Sequence, residues 1–188
     1  VANPQDIVPQ ATISFDSISE LKSSAVPPSD NSTAIVSGYY SPGDGGGGIY
    51  GWDSSSTATA NNGTIIQRDV GGTGRWRFVG SRATVRTFGA KGDGSTDDTT
   101  AVTASINASN FVYFPDGTYL VTSLPEFSQG DTWEGESTRN TIIKLNTTGY
   151  CITQTTDAPQ VLLERISILG ATMAATFLRL NGGAMHYL

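Results

Sequence analysis

The chain has 188 residues, a formal net charge of −6 and only 11 Lys and Arg, scattered singly apart from Arg75 and Arg77; it lacks the basic stripe that a phosphate backbone needs, which argues against nucleic acid as a partner. Its 22 glycines, low charged fraction of 15% and abundant Ser, Thr and Asn suit short strands joined by turns, not helical bundles. No apolar run approaches the roughly 18 residues of a membrane span, Val1–Gln10 has neither the basic start nor the apolar stretch of a secretory signal, and one cysteine, Cys151, excludes an internal disulfide framework.

A shift in composition near Gly80 divides the chain into unequal halves. Residues 1–12, with Pro4 and Pro9 and few apolar side chains, read as an extended arm. Ser17-Ile18-Ser19-Glu20 is a capping-box pattern, and Ile18 and Leu21 share a face, so a short helix is expected to stop before Pro27-Pro28. Thr33–Tyr40 and Ile49–Asp53 are aromatic-bearing strands around a glycine-rich turn, the pattern of an antiparallel hairpin with an enlarged loop. Gly45–Gly48 fails as a phosphate-binding loop, since no Gly-Lys-Ser/Thr and no long helix follow it. Thr64–Gln67 follows the turn Asn61-Asn62-Gly63, and in Arg75–Val79 the alternation predicts aromatics on one face and arginines on the other.

From Ala83 the pattern changes. Thr84–Phe88 reads as a strand and Gly89–Ser95 as a turn, after which Asp97 or Asp98 caps a helix over 99–108 with Val102, Ile106, Ala101 and Ala108 in one narrow apolar stripe. Only short strands follow: Phe111–Phe114, Thr118–Val121 after the turn Pro115-Asp116-Gly117, Thr141–Leu145, Gly149–Thr153, Val161–Leu163, Ile166–Ile168 and Thr176–Leu180, closed by Asn181-Gly182-Gly183. They are too short for helices and have no Asn-Gly hairpin links, and a parallel solenoid accounts for them. Cys151 is expected as a buried structural thiol, and His186, with no Cys or acidic neighbour, as a residue without catalytic work. Four Asn-x-Ser/Thr triplets, at Asn31, Asn62, Asn107 and Asn146, arise readily by chance in a chain of this composition.

Two segments carry a resemblance. Phe88-Gly89-Ala90-Lys91-Gly92-Asp93-Gly94 running into Thr96-Asp97-Asp98-Thr99, then Val112-Tyr113-Phe114-Pro115-Asp116-Gly117-Thr118-Tyr119, resembles the N-terminal opening of the pectate-lyase-like β-helix superfamily. Glu134–Thr138 before Asn140–Leu145 is similar to the glycine turn and strand that follow there. Ser37-Gly38-Tyr39-Tyr40 through Tyr50-Gly51-Trp52-Asp53 to Gly74-Arg75-Trp76-Arg77 looks like the small β domain that phage tailspikes place ahead of their β-helix. The resemblance implies a mainly β chain: an arm over 1–12, a small antiparallel, virion-proximal β domain over 13–82, and over 83–188 the start of a right-handed parallel β-helix with an N-terminal capping helix, truncated at Leu188.

The function so implied is the front part of a bacteriophage tailspike or tail fibre: a homotrimer in the virion, held to a tail or baseplate protein by its N-terminal region, whose full-length form binds and cleaves bacterial surface polysaccharide. Glycan cleavage needs two carboxylates roughly 5 to 10 Å apart, or a lyase base. Glu126, Asp131, Glu134 and Glu136 are the candidates here, with Trp133 available to stack on a sugar, but the resemblance puts the catalytic residues beyond Leu188. Asp93, Asp97 and Asp98 read as structural, and neither a cofactor nor a metal is expected. Two alternatives stay open: a secreted polysaccharide hydrolase or lyase of the same superfamily, and a purely structural tail adaptor.

Overall fold

The computed structural model describes residues 12–24, 29–30, 32–154, 160–170 and 176–180, in two compact units that divide between Arg82 and Ala83. The expected arm up to residue 11, the stop at Pro27-Pro28, the triplet at Asn31, the closing turn at 181–183 and His186 lie outside the described residues.

In the first unit, strands β1 (Thr12–Phe15), β2 (Thr33–Val36), β3 (Gly48–Asp53), β4 (Ile65–Ile66) and β5 (Arg75–Phe78) form one sheet in the order β1-β2-β3-β5-β4. Thr12, read as part of the arm, instead opens β1, which pairs in parallel with β2 and makes the sheet mixed, not purely antiparallel. A parallel pair needs a crossover, and helix α1 (Ile18–Ser23) supplies it. Ser17 Oγ accepts from Glu20 N (3.2 Å), as the capping box predicts, while the Glu20 carboxylate reaches one residue further back, to Asp16 N (2.7 Å). Ser17→Ala is expected to cost about 1 kcal/mol of stability, measurable by urea titration.

Period-two alternation turns Ala34, Val36, Tyr50, Trp52 and Trp76 inward onto Ile18 and Leu21 of α1. Trp52 and Trp76 are register partners and meet edge-on at 5.2 Å. Arg75 departs from the predicted alternation: it is buried, because the connection over 54–74 folds across it and presents carbonyls that need donors. Arg75 Nε donates to Ala58 O (2.8 Å) and Nη1 to Gly72 O and Gly74 O (2.9 and 2.7 Å).

In the second unit, Val85–Phe88 is a 3-10 helix where a strand was expected. Thr84 Oγ1 accepts from the N–H groups of Arg86 and Thr87 while Thr87 Oγ1 accepts from Thr84 N, and this reciprocal capping outweighs the strand-like alternation. Gly89, at φ 98°, ends it in a conformation that favours glycine. Part of the expected turn, Asp93–Asp97, is strand β6, paired in parallel with β8 (Gly117–Val121) through an irregular register. Helix α2 (Thr99–Ala108) follows. It buries Val102 and Ser105, with Ala101 and Ile106 packed against the same core; Ala108, expected in the stripe, is exposed.

Three coils are then stacked in parallel: β7 (Phe111–Phe114) and β8; β9 (Thr132–Gly135), β10 (Thr141–Leu145) and β11 (Tyr150–Gln154); β12 (Leu162–Glu164), β13 (Ser167–Leu169) and β14 (Thr176–Leu180). The sheets run β7-β9-β12, β6-β8-β10-β13 and β11-β14, with every pair parallel. This is the beginning of a right-handed parallel β-helix with an N-terminal helix packed on its first coil. Strand β9 lies where only a glycine turn was read. Inside, Phe114, Tyr119, Trp133, Phe127 and Phe177 form a chain of ring contacts with centroids 4.9 to 6.5 Å apart.

Cys151 is buried in β11, and burial pushes its thiol up to about 11. It is therefore expected to resist iodoacetamide in the native chain and to react on unfolding; mass spectrometry before and after urea checks this.

Candidate functional site

Of the carboxylates suggested by sequence for glycan chemistry, Asp131, Glu134 and Glu136 are taken up by the solenoid's own frame. Asp131 is buried beside β9 and accepts from Ser128 N (2.7 Å). Glu134 points out from β9 and forms an ion pair with Arg165, whose Nε donates to Gly135 O (2.9 Å) across to the next coil. Glu136 accepts from Asp116 N (2.9 Å), and Glu126 is half-buried and engaged. Trp133 cannot stack on a sugar: it is 1% exposed, because its place in β9 turns it into the solenoid against Phe114 and Phe127.

The corner at Asp116 joins two coils through polar groups. Asp116 Oδ1 accepts from Ser137 Oγ (2.7 Å) and Thr141 Oγ1 (3.2 Å), and Oδ2 from Asn140 Nδ2 (3.2 Å); Asp116 O accepts from Arg86 Nη2 (2.7 Å). Gly117 N donates to Asn140 O (2.8 Å), so the corner between β7 and β8 is riveted to the turn of the coil above. The hydroxyl bond from Ser137, followed by those of Asn140 and Thr141, holds the Asp116 carboxyl below its ordinary value. The sequence placed Asp116 in the turn Pro115-Asp116-Gly117; its partners Ser137, Asn140 and Thr141 lie one coil on and carry no local signal.

Asp93 accepts from the backbone and hydroxyl groups of Thr96 and Ser95 (2.7 to 3.0 Å), which also lowers its pKa. Asp97 caps the first helical N–H, that of Thr99 (2.9 Å). Asp98 occupies the N-cap position without making a side-chain cap: its carboxylate turns back to Lys91 N and Gly92 N (2.7 and 3.0 Å). Burial raises the Asp98 pKa against those two bonds. Among the described residues no group of three or more His, Cys, Asp or Glu could hold a metal ion.

In the first unit one carboxylate organises the glycine-rich loop over 37–47. Asp44 accepts from the N–H groups of Tyr39 (2.9 Å), Tyr40 (2.7 Å), Ser41 (3.1 Å) and Gly46 (2.8 Å). Burial alone would raise its pKa; these four donors outweigh that and hold it below the ordinary value. The loop is thus an anion nest filled from within, and the aspartate between two glycines was its sign in the sequence.

The depressed carboxyls set a pH response. A carboxyl whose folded pKa lies below its unfolded one stabilises the fold fully above the unfolded value, and loses that contribution as pH falls through the folded one. Asp44, Asp93, Asp97 and Asp116 are all of this kind, while Asp98 is shifted the other way. Stability is therefore expected to fall between about pH 5 and pH 2. In Asp116→Ala the fall should be shallower, which thermal melting across that range measures.

Comparison with known proteins fits these two units. Residues 14–81 match the family described as phage tail protein small four-stranded beta-sheet domain, and residues 83–174 match that described as rhamnogalacturonase A/epimerase, pectate lyase-like. The chain shares its fold, a small β-sheet unit followed by the start of a parallel β-helix, with solved phage tailspikes. Full-length tailspike protein 2 from the Escherichia coli O157:H7 bacteriophage CAB120 superposes with a TM-score of 0.75 at 23% identity, over 89% of this chain and 23% of its own. Among curated proteins, alginate lyase 7 of Azotobacter vinelandii is 49% identical over 51 residues, and the preneck appendage protein of Bacillus phage PZA 40% over 60. These stretches are 24% and 32% of this chain but 6% and 7% of the relatives, so the chain spans a small part of the proteins it matches.

Proposed function

We propose that this chain is the virion-proximal part of a phage tailspike. The first unit fastens it to a tail or baseplate protein, and the second begins the β-helix with which the full-length protein, as a homotrimer, binds and cleaves bacterial surface polysaccharide. The observation that carries the reading is the order of the units: a phage-tail β-sheet domain followed at once by a pectate-lyase-like solenoid. Asp131, Glu134 and Glu136 are committed to backbone and to the neighbouring coil, which supports a glycan groove on later coils of the full-length protein. Leu163 and Ile168, whose strands stack on Trp133 and Ile143, are each 42% exposed; further coils would cover them.

A gold-labelled antibody against this chain should mark the tail of purified particles, and the full-length protein should thin a solution of host surface polysaccharide. A second reading, a secreted polysaccharide-degrading enzyme, is favoured by the likeness to alginate lyase 7. Label on free protein in the medium and none on particles would support it against the tailspike reading.

A further inference from the structure

The strands β2 and β3 pair directly, with Val36 opposite Gly48. A turn of two to five residues would join them, so the fold has no need of a loop as long as 37–47. Nor is the loop slack, despite Gly38, Gly43, Gly45, Gly46 and Gly47. The Asp44 carboxylate gathers four backbone N–H groups, Tyr39 O accepts from Ile18 N of α1 (3.1 Å), and Ser37 O accepts from Gly43 N (3.1 Å). A Cβ on Gly38 would overlap Ser41 O and one on Gly47 would overlap Val36 O, so the backbone is closely packed at both ends.

What this ordering displays is aromatic. Tyr40 is 56% exposed and its ring meets that of Tyr39 edge-on at 4.8 Å. Asp44 is the loop's one ionisable group besides the two tyrosines, and its charge is matched by N–H donors. On a chain of net charge −6, the tip is a rigid patch without uncompensated charge. A fixed, half-exposed tyrosine pair suits a protein surface: it contributes large contact area while little side-chain entropy remains to be lost.

We infer that the 37–47 loop, preorganised by Asp44, is the contact through which the first unit grips the tail protein that receives it, with Tyr40 as the anchor. The inference rests on the attachment reading and names the surface that performs it. It is tested with the full-length protein and with particles of the encoding phage assembled without it. In co-sedimentation titrations Tyr40→Ala should bind these particles roughly tenfold to thirtyfold more weakly at an unchanged melting temperature. Asp44→Ala should also bind more weakly, and hydrogen exchange at Tyr39, Tyr40, Ser41 and Gly46 should quicken while β2 and β3 stay protected. Both variants attaching like the unsubstituted protein would overturn the loop's role and leave attachment by the first unit standing. Failure of the unsubstituted protein to attach would remove the attachment reading and the loop's role with it.

Discussion

Trp133→Ala is expected to cost about 3–5 kcal/mol, the range for removing a large aromatic side chain from a packed core. Trp133 is 1% exposed and touches Phe114 in the coil below, Phe127 alongside and Phe177 in the coil above, so one truncation opens a void at the junction of three coils. Among the described residues the indole Nε1 has no hydrogen-bond partner, so the substitution orphans no polar group there and the loss is one of packing. Trp133→Phe should therefore recover much of it. Urea unfolding followed by circular dichroism measures both, and a loss for Trp133→Ala below about 1 kcal/mol, the size of an ordinary surface change, would refute the buried position.

The second large effect is expected from Gly135→Ala. A Cβ at Gly135 would overlap the carbonyl oxygen of Arg165 and lie 2.9 Å from both the Arg165 carbonyl carbon and Thr141 Cγ2. The obstruction is backbone of the next coil, which a side-chain rotation cannot relieve. Overpacking of this kind costs roughly 1–3 kcal/mol. It should also loosen the Arg165 Nε bond to Gly135 O. Gly149→Ala is the matched control, since among the described residues its Cβ would meet only Thr147 Oγ1, at 3.8 Å, and it should change little. Equal melting of the two variants would contradict the close approach at Gly135.

Much of the fold was legible wherever a local signal agreed with the tertiary one. The β-branched and aromatic bursts at Thr141–Leu145 and Thr176–Leu180 are strands over those residues, and Asp97 caps α2 as an aspartate before a helix should. Strand β9 was not legible, because Thr-Trp-Glu-Gly holds a glycine and a charge in four residues and is extended by pairing with β7 on one side and β12 on the other. Strand β6, rich in Asp and Gly, is likewise held by β8. At the candidate site the carboxylates themselves were found, but their partners were not. Glu134 is occupied by Arg165 and Asp116 by Ser137, Asn140 and Thr141, residues a whole coil away along the chain.

The order of short apolar bursts and the lack of Asn-Gly links between them pointed to a mainly β chain, and the resemblance carried by Phe88–Thr99 and Val112–Tyr119 made parallel stacking after Ala83 the expectation that the sheets bear out. Those properties depend on neighbours a few residues apart. Which side of β9 faces inward at Trp133, that Arg75 is buried while Arg77 is not, and which partners occupy Glu134 and Asp116 were decided only by tertiary structure. A solenoid satisfies its side chains from the coil above or below, and the corner lengths that set this register vary from coil to coil, so no local pattern encodes it.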